Sequence, residues 1–378
     1  MQKPSVLGIG YGRHLFTVGN VERERMQSIA TETAVLYQIV FTHRSDELQT
    51  QTTDSGLVLH PTNSRLKLFM MLDAFLLGRK IIKSENKGLI LTTQDPFAAG
   101  VVGWLLSVFF KLHLVVQEHG DVFGEPYWRQ ESLGNQLWYR VGVLILRRAD
   151  IVRVVAQRVA ESVQTVGVKP EKITQLPVAI DLAQFTDVPR PEKNDETFTY
   201  ITVARLVSQK NLSLLLQAFY TAWVEQPQLR LRIVGRGEEE VKLKSMIADH
   251  YRGTDITPVV IEPWSDDVPG LLAQADAYVL SSDYEGWGRV LIEAMVVGLP
   301  IVTTDVGCAK EVIKHEQHGL VVPTRNEPAL AIALLRLATD KELQKAIAET
   351  LVSLDRSTIP GTDLDSYGTH WVESLKVQ

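Results

Sequence analysis

The chain has 378 residues, a length that suits two domains better than one. Hydrophobic residues make up 45% and charged residues 22% of it, which excludes a disordered or fibrous protein. The net charge of −6 gives no electrostatic basis for binding nucleic acid, so no nucleic-acid partner is expected. The single cysteine, Cys308, excludes an intramolecular disulfide and a cysteine metal cluster, and it indicates a reducing, cytoplasmic setting.

Neither a membrane-spanning helix nor a signal peptide is expected. Mean hydropathy is 0.00, and the longest apolar stretch, residues 101–116, is interrupted by Lys111 and His113. The chain begins with a strand-like run that lacks the apolar core and cleavage pattern of a secretory signal.

Short apolar runs alternate with amphipathic stretches along both halves of the chain. Strands are predicted at 5–10, 35–41, 88–93, 112–117, 151–156, 199–203, 229–234, 257–261, 277–280, 300–303 and 319–322. Helices are predicted at 21–33, 64–83, 96–110, 133–147, 211–225, 238–250, 289–298, 328–340 and 363–377. The strand runs are four to seven residues long and are interpreted as non-alternating, which is typical of strands buried on both faces of a parallel sheet.

This alternation predicts an α/β protein with two Rossmann-like parallel-sheet domains that face each other across a cleft. The segment 187–195 is rich in proline and charged residues and is expected to be an exposed linker. The predicted domains are therefore residues 1–188 and 189–355. Ligands are expected at the carboxyl ends of the strands.

The segment 281–300 carries the strongest chemical signal. A predicted strand leads into a loop with Gly286 and Gly288 and then into a helix, whose first N–H groups can bind an anion. The helix is apolar on all sides, so Glu293 is expected to be buried and to need a polar partner, such as a ribose diol. The alternative is that Glu285 is a surface carboxylate and Glu293 pairs with a neighbouring cation.

Two cations follow the predicted strand 199–203. Arg205 and Lys210 lie on one short loop, where they could hold a diphosphate, because guanidinium and ammonium groups both bind phosphate oxygens. The alternative is that both are solvated loop charges.

Two further loops give weaker signals. Gly235 and Gly237 follow a predicted strand, but they lack the third glycine and the acid of a dinucleotide fingerprint, so a tight turn is the first interpretation. His119 follows another predicted strand and could donate to a sugar hydroxyl or to developing charge. A structural loop histidine is its alternative.

The second half resembles the retaining glycosyltransferases of family 4, which have the two-domain GT-B fold. The resemblance is carried by residues 203–211 with Arg205 and Lys210, by 234–237, by 275–295 with the spacing from Glu285 to Glu293, by 298–303 and by 319–322. The first half is similar to the family at Gly19, at 118–120, at 148–150 and at 176–185.

The resemblance implies transfer of a sugar from a nucleoside-diphosphate donor to an acceptor hydroxyl, with retained configuration and without a metal or other cofactor. It implies that Arg205 and Lys210 hold the diphosphate, that Glu285 contacts the sugar hydroxyls and that Glu293 binds the ribose. It also implies that His119 lies over the donor sugar. The remaining implied donor-binding positions are Gly19, Gly235, Gly286, Trp287, Gly288, Arg289 and Val290, the last five through backbone N–H groups. By the same resemblance, residues 356–378 form a helix that crosses back to the first domain.

Several partners and alternatives stay open. The acceptor is expected to be a lipid-linked sugar or a polysaccharide, and the base is expected to be read near 262–264. The basic-ended helices 64–83 and 133–147 would allow peripheral contact with the cytoplasmic face of a membrane, unless they only cover the sheet. A nucleotide-sugar epimerase or phosphorylase of the same architecture and a non-catalytic nucleotide-sugar-binding protein are the alternative functions.

Overall fold

The computed structural model describes residues 3–85, 89–124, 126–191, 196–254 and 256–376, and the chain divides into two units. The first unit comprises Met1–Ala179 and Asp363–Gln378, and the second comprises Ile180–Thr362. Each unit is a parallel sheet covered by helices, so the α/β class predicted from the alternation of elements is confirmed.

The first unit has an eight-stranded sheet within the described residues. Its strands are β1 (Ser5–Gly10), β2 (Val35–Val40), β3 (Gln51–Thr52), β4 (Leu57–Pro61), β5 (Leu89–Thr93), β6 (Leu114–Glu118), β7 (Ile151–Val154) and β8 (Ile173–Gln175). They are ordered β3-β4-β2-β1-β5-β6-β7-β8, and all neighbours are parallel except β3 and β4. The α-helices between them are α1 (Val21–Thr31), α2 (Met70–Ser84), α3 (Ala98–Phe110), α4 (Tyr127–Gln130), α5 (Leu133–Arg148) and α6 (Gln157–Thr165).

The second unit has a six-stranded parallel sheet within the described residues. Its strands are β9 (Phe198–Val203), β10 (Leu229–Val234), β11 (Val259–Glu262), β12 (Ala277–Leu280), β13 (Ile301–Thr304) and β14 (Gly319–Val322), in the order β11-β10-β9-β12-β13-β14. Its α-helices are α7 (Leu212–Glu225), α8 (Glu240–His250), α9 (Val268–Ala273), α10 (Arg289–Val296), α11 (Ala309–Val312), α12 (Glu327–Thr339) and α13 (Lys341–Val352).

Both units also contain single 3-10 turns. Those of the first unit lie at Arg13–Phe16, Arg44–Asp46, Lys67–Phe69 and Pro170–Lys172, and those of the second at Ala183–Phe185, Ser208–Lys210 and Arg356–Thr358.

Several of the predicted strands are buried at every residue, whereas β10 and β11 are buried only in part. All residues of β1, β6 and β12 are buried, as expected for strands with helices on both faces. Strands β3, β4 and β8 and helices α4, α6, α9, α11 and α13 were not predicted. Strand β3 lies at the edge of its sheet, where it is antiparallel and only partly buried, so its sequence carries no apolar run to find. Strand β4, next to it, has an apolar run of only three residues, from Leu57 to Leu59. Gly88, the first residue of one predicted strand, lies outside the described residues.

The boundary between the units precedes the predicted one. The structure divides the chain after Ala179 rather than after residue 188, because the Ile180 N–H donates to the Gly361 carbonyl and so joins the second unit. The predicted linker is also attached there in its described part. Arg190 donates to the carbonyls of Gly298, at 3.2 Å, and Ala275, at 2.9 Å, while residues 192–195 lie outside the described part.

The last helix, α14 (Leu364–Glu373), belongs to the first unit and packs against α1. Its buried residues Trp371 and Val372 join a core that includes Ile29 of α1 and Leu36 of β2. The second crossing between units therefore lies at residues 362 and 363, rather than at the predicted 355 and 356. In the part of the chain that the structure describes, no helix combines the length and the apolarity needed to cross a bilayer.

Candidate active site

The predicted diphosphate loop and the predicted sugar loop lie side by side in the second unit. Strands β9 and β12 are neighbours in the sheet although they are far apart in the chain, because the strand order reverses between them. Such a switch point leaves the two following loops free to diverge and to bind a ligand at the carboxyl ends of the strands. Arg205 and Lys210 follow β9, and Glu285 follows β12.

Lys210 and Glu285 form a mostly buried ion pair. Nζ of Lys210 donates to Oε1 of Glu285 at 2.5 Å, and their side chains are only 15% and 10% exposed. The hydroxyl of Ser282 donates to the same carboxylate oxygen at 2.7 Å. Withdrawing a charge pair from water costs free energy unless the remaining hydrogen bonds of its members are satisfied. The Ser282 hydroxyl satisfies one of them for Glu285.

Backbone and side-chain hydrogen bonds fix the two loops to each other. The Asp283 N–H donates to the Gln209 carbonyl at 2.9 Å, and Nε2 of Gln209 donates to the Tyr284 carbonyl at 2.9 Å. Oγ of Ser281 donates to the Lys210 carbonyl at 2.9 Å. These bonds hold Lys210 and Glu285 in register without any ligand, which is the condition for an electrostatically preorganised site.

A second charged group, which the sequence analysis missed, supports the same loops. Asp283 accepts from Nδ2 of Asn211 at 2.7 Å and from Nη2 of Arg325 at 2.5 Å. Asn211 has a left-handed backbone (φ 43°) and caps α7 by accepting from the Leu214 N–H. The only sequence signal for Asp283 is its place directly after a buried strand, and none points to Arg325, which comes from a loop beyond β14.

Arg205 is a cation of this group that pairs with nothing in the part of the chain that the structure describes. Its side chain is exposed, and among the described residues it has no hydrogen-bond or ion-pair partner. Lys210 and Arg205 therefore differ: one is fixed by a carboxylate, and the other is available to a bound anion.

The loop that contains Glu285 leads into α10 through a glycine. Gly288 has φ 86° and precedes the helix without any side-chain cap, so the first N–H groups of α10 have no side-chain acceptor at that position. Gly307 lies against this loop, since a Cβ at that position would be 2.5 Å from the Trp287 carbonyl. The Trp287 side chain is buried, so only its backbone is available to a ligand, while Gly286 is buried, Val290 half-buried and Arg289 exposed.

Glu293 is buried in α10, as its apolar surroundings predicted. It is 9% exposed, and Nη2 of Arg289 lies 3.5 Å from its Oε1, which is longer than a hydrogen bond. Burial raises the pKa of the Glu293 carboxyl above its ordinary value, and the charge of Arg289 opposes that rise only in part. The structure therefore contains a buried carboxylate whose charge is poorly compensated.

Gly235 has a packing role that the sequence did not reveal. A Cβ there would lie 1.9 Å from the Ala204 carbonyl, so only glycine lets the loop after β10 approach the loop of Arg205. A cavity of about 450 Å³ opens next to it, lined by Gly235, Arg236, Glu240, Lys244, Ile261, Glu262, Pro263 and Trp264. Glu262 is held there by Arg232, with Nε to Oε1 at 2.6 Å and Nη2 to Oε2 at 2.9 Å, and this pairing lowers the pKa of Glu262. The cavity includes residues 262–264, where base recognition was predicted.

His119 and Gly19 belong to the first unit. His119 follows β6, and its Nε2 lies 2.8 Å from Oε1 of Gln117. The pKa of His119 is lowered, chiefly because protein atoms crowd the ring although part of it stays exposed, and secondarily by the positive charges of Arg153 and Arg25. Gly19 has φ 80° and open space around it, so its place in the turn before α1 explains the glycine by itself.

Buried acids lie on the other face of the same strand end. Oε1 of Glu118 accepts from the Gly120 N–H at 2.8 Å, whereas its Oε2 is buried with no hydrogen-bond partner among the described residues. Burial raises the pKa of Glu118 well above its ordinary value, and the nearby Asp95 and Asp121 add to the rise. Burial likewise raises the pKa of Asp95, to about 6. No group of three or more metal-binding side chains is found within the described ranges.

Two family models match the chain, one in each half. The model described as "Glycosyl transferase 4-like domain" matches residues 33–179, and "Glycosyl transferases group 1" matches residues 184–351. The second match contains Arg205, Lys210, Glu285 and Glu293, and the first contains His119.

Two of the bacterial relatives are named for polysaccharide synthesis. The chain is 31% identical over 207 residues to the Escherichia coli K12 protein named "Putative colanic acid biosynthesis glycosyltransferase WcaL", which covers 52% of this chain and 50% of that protein. It is 30% identical over 178 residues to the amylovoran biosynthesis glycosyltransferase AmsK of Erwinia amylovora, covering 46% of this chain and 43% of AmsK. In these matches the chain spans about half the length of the relatives or less.

A solved structure shares the fold over almost the whole chain. Alr3699/HepE of Anabaena, crystallised in complex with UDP-glucose, superposes with a TM-score of 0.73 and 17% identity, covering 98% of this chain and 99% of that one. The two parallel-sheet domains are thus those of a GT-B protein.

The raised pKa of Glu293 predicts a stability effect that depends on pH. Between the ordinary glutamate pKa and the raised one, the folded protein keeps a proton that the unfolded chain has lost, so wild-type stability falls as pH rises through that window. Glu293→Gln has no titrating carboxyl at this position, so its stability does not fall in that pH window. We expect it to melt at a higher temperature than the wild type at pH 7–8, and the gain to vanish at acidic pH.

Calorimetric melting at a series of pH values measures this difference. Glu349→Gln, at an exposed position of α13 in the same unit, is the matched control and should show no such pH-dependent gain. A Glu293→Gln protein that is less stable than the wild type at neutral pH would mean that the carboxylate is well compensated in the free protein.

Proposed function

Because the chain carries a glycosyl transferase 4-like domain followed by a glycosyl transferases group 1 domain, we propose that it is a retaining glycosyltransferase that moves a sugar from a nucleoside-diphosphate donor to an acceptor hydroxyl. The observation that carries this proposal is the preorganised Lys210–Glu285 pair, with Arg205, which has no partner among the described residues, on the same loop as Lys210. The three side chains belong to the loops after β9 and β12, at the switch point of the second sheet.

The two cations have complementary roles in this proposal. Arg205, exposed and without a partner among the described residues, binds phosphate oxygens of the donor, and Lys210 neutralises the charge that grows on the diphosphate as it leaves. The uncapped first turn of α10 adds backbone N–H donors from Gly286 to Val290. These groups supply the positive charge that a diphosphate leaving group needs, so we propose that the transfer requires no metal and no other cofactor.

The two glutamates bind different parts of the donor: Glu285 contacts the sugar and Glu293 contacts the ribose. Glu285 keeps Oε2 for a donor hydroxyl while its Oε1 is occupied by Lys210 and Ser282. Glu293 gains hydrogen-bond donors when a ribose diol approaches, which compensates the buried charge that raises its pKa. The base is proposed to enter the cavity that includes Gly235 and Trp264. No side chain is assigned as a nucleophile; the acceptor attacks the face from which the diphosphate departs, assisted by the leaving phosphate.

UDP-sugars are the donors to test first, because the Anabaena structure of the same fold was solved with UDP-glucose. The names of the WcaL and AmsK relatives support a saccharide acceptor of exopolysaccharide synthesis. The proposed acceptor is therefore a growing polysaccharide or a lipid-linked sugar.

A donor panel assayed for diphosphate release tests the proposal. We expect release that depends on a saccharide acceptor and that is the same with and without EDTA. Isomerised donor or phosphate-dependent cleavage would instead support the epimerase or phosphorylase, binding without turnover would support a non-catalytic protein, and activity lost in EDTA and restored by manganese would exclude the metal-independent account.

Lys210→Gln links the activity to the site. We expect a fall of about 10²–10³-fold in kcat, because a preorganised charged donor is removed. Lys242→Gln is the matched control, since Lys242 is exposed on α8 and pairs with Glu239 at 2.9 Å, on the surface of the same unit. Equal activity of the two variants would contradict the role of Lys210.

An exposed apolar face supports peripheral membrane contact of the first unit. Leu68, Leu72 and Leu76 recur every four residues on α2 and the turn before it, and Phe69 lies among them; they are between 43% and 83% exposed. The exposed basic side chains around this face are Arg65, Lys67, Arg79, Lys80 and Lys83. Leucine and phenylalanine beside a ring of cations suit the interface of an anionic bilayer.

Helix α5, the other helix with basic ends, is less suited to membrane contact. Leu133 and Leu137 are exposed on α5, but its basic end is occupied: Nε of Arg147 donates to the Val166 carbonyl at 2.6 Å, and Arg148 lies over the Trp104 ring at 5.5 Å. We therefore assign the membrane contact to the face of α2, on the cytoplasmic side.

Sedimentation with vesicles tests the α2 face. We expect binding to vesicles that contain anionic lipid, weakened by salt, and lowered at least tenfold in Leu68→Asp/Leu72→Asp, because each leucine contributes about 1.5–3 kcal/mol when it leaves water. Val241→Asp/Ile332→Asp changes equally exposed apolar residues of the second unit and should bind as the wild type does. Binding that is absent, or equal in both double variants, would exclude this surface.

A further inference from the structure

A buried amide controls one ring nitrogen of His119. Oε1 of Gln117 lies 2.8 Å from Nε2 of His119, and Nε2 of Gln117 donates to Oγ1 of Thr92 at 2.8 Å. Gln117 is 8% exposed and Thr92 is 2% exposed, so the amide has little choice of partners. Because the threonine hydroxyl can donate or accept, it does not by itself decide which way the amide points.

Arg153 decides the orientation of that amide. It is the register partner of Gln117 on the neighbouring strand β7, and its Nη2 donates to Oε1 of Gln117. Burial lowers the pKa of Arg153 only to about 10, so the guanidinium stays charged at neutral pH and offers donors alone. A reversed amide would bring two buried donors together, with the full cost of an unmade hydrogen bond.

The protonation of His119 follows from this orientation. The oxygen that accepts from Arg153 is the same oxygen that faces Nε2 of His119, so Nε2 must carry a hydrogen. The lowered pKa keeps the ring neutral, which leaves the lone pair on Nδ1. Nδ1 has no partner among the described residues, and the side chain is partly exposed.

The position of Arg153 is not explained by packing. It is 5% exposed, its Nη1 is buried without a hydrogen-bond partner among the described residues, and its Cζ lies 5.2 Å from the ring centroid of Trp371. A buried guanidinium without a carboxylate is costly, and an apolar side chain would pack against Trp371 at less cost. Trp371 belongs to α14, so the helix that returns from the second unit covers this charge.

We propose that Arg153 and Gln117 are positioning residues that hold His119 as the neutral Nε2–H tautomer, so that Nδ1 accepts a hydrogen bond from a substrate hydroxyl. The chain of contacts runs from Trp371 through Arg153 and Gln117 to the imidazole. It reverses the expectation that His119 donates to the substrate. The substrate half of this inference rests on the proposed function, whereas the tautomer does not.

Nitrogen NMR of the full chain labelled with 15N-histidine tests the tautomer without any substrate. The His119 signals are identified by their loss in His119→Gln. We expect a wild-type ring with the proton on Nε2 alone. Arg153→Met frees the amide to turn, so both tautomers should appear as averaged shifts, and Arg153→Lys, which again can only donate, should restore the single form. The signals of His318, in the second unit, should be the same in all variants.

A wild-type ring with the proton on Nδ1, or an Arg153→Met spectrum identical to the wild type, would overturn the inference. Gln117→Glu gives a second test should Arg153→Met not fold. A carboxylate in that place raises the pKa of His119, despite Arg153 and Arg25, and an unchanged titration would again contradict the proposal. A wild-type protein without transfer activity but with the expected tautomer would refute the proposed function and leave the positioning role standing.

Discussion

The proposed chemistry depends on one ion pair, between Lys210 and Glu285. Its two members come from loops 75 residues apart and meet because β9 and β12 lie side by side where the strand order reverses. The bonds from Asp283 to the Gln209 carbonyl and from Gln209 to the Tyr284 carbonyl fix the loops before any ligand binds. The positive charge for a leaving diphosphate is therefore in place at no cost of rearrangement.

The site holds charges that the free protein compensates only in part. Glu293 is buried with an ion pair of 3.5 Å, and Arg205 has no partner within the described residues. A donor that brings phosphate oxygens to Arg205 and hydroxyls to Glu293 would compensate both charges. In the first unit, Arg153 is buried in the same uncompensated way and is used to orient a neighbour. Poorly compensated charge in a folded protein is a cost that ligand binding or positioning can explain.

Local sequence predicted several structural features of the candidate site at the strand ends. Lys210, Glu285 and the burial of Glu293 could be read from residue type, spacing and apolar context. The pairing of Lys210 with Glu285 could not be predicted, nor could the Arg325–Asp283 bond or the Arg153–Gln117 contact. These contacts depend on strand order and register across the sheet. Gly235 looked like a turn residue, and its contact with the Ala204 carbonyl exists only once β10 pairs with β9. The unit boundaries could not be predicted either, because they depend on which segments contact each other in the folded chain.

Hydrogen exchange of the full chain with and without UDP tests the central claim most directly, because it reports where a nucleoside diphosphate binds without assuming a sugar or an acceptor. Exchange should slow in peptides that contain residues 204–212 and 282–293, and the protection should weaken in Lys210→Gln. Saturating UDP that leaves both segments unprotected, or protects only peptides of the first unit, would contradict the assignment of the donor site to these two loops.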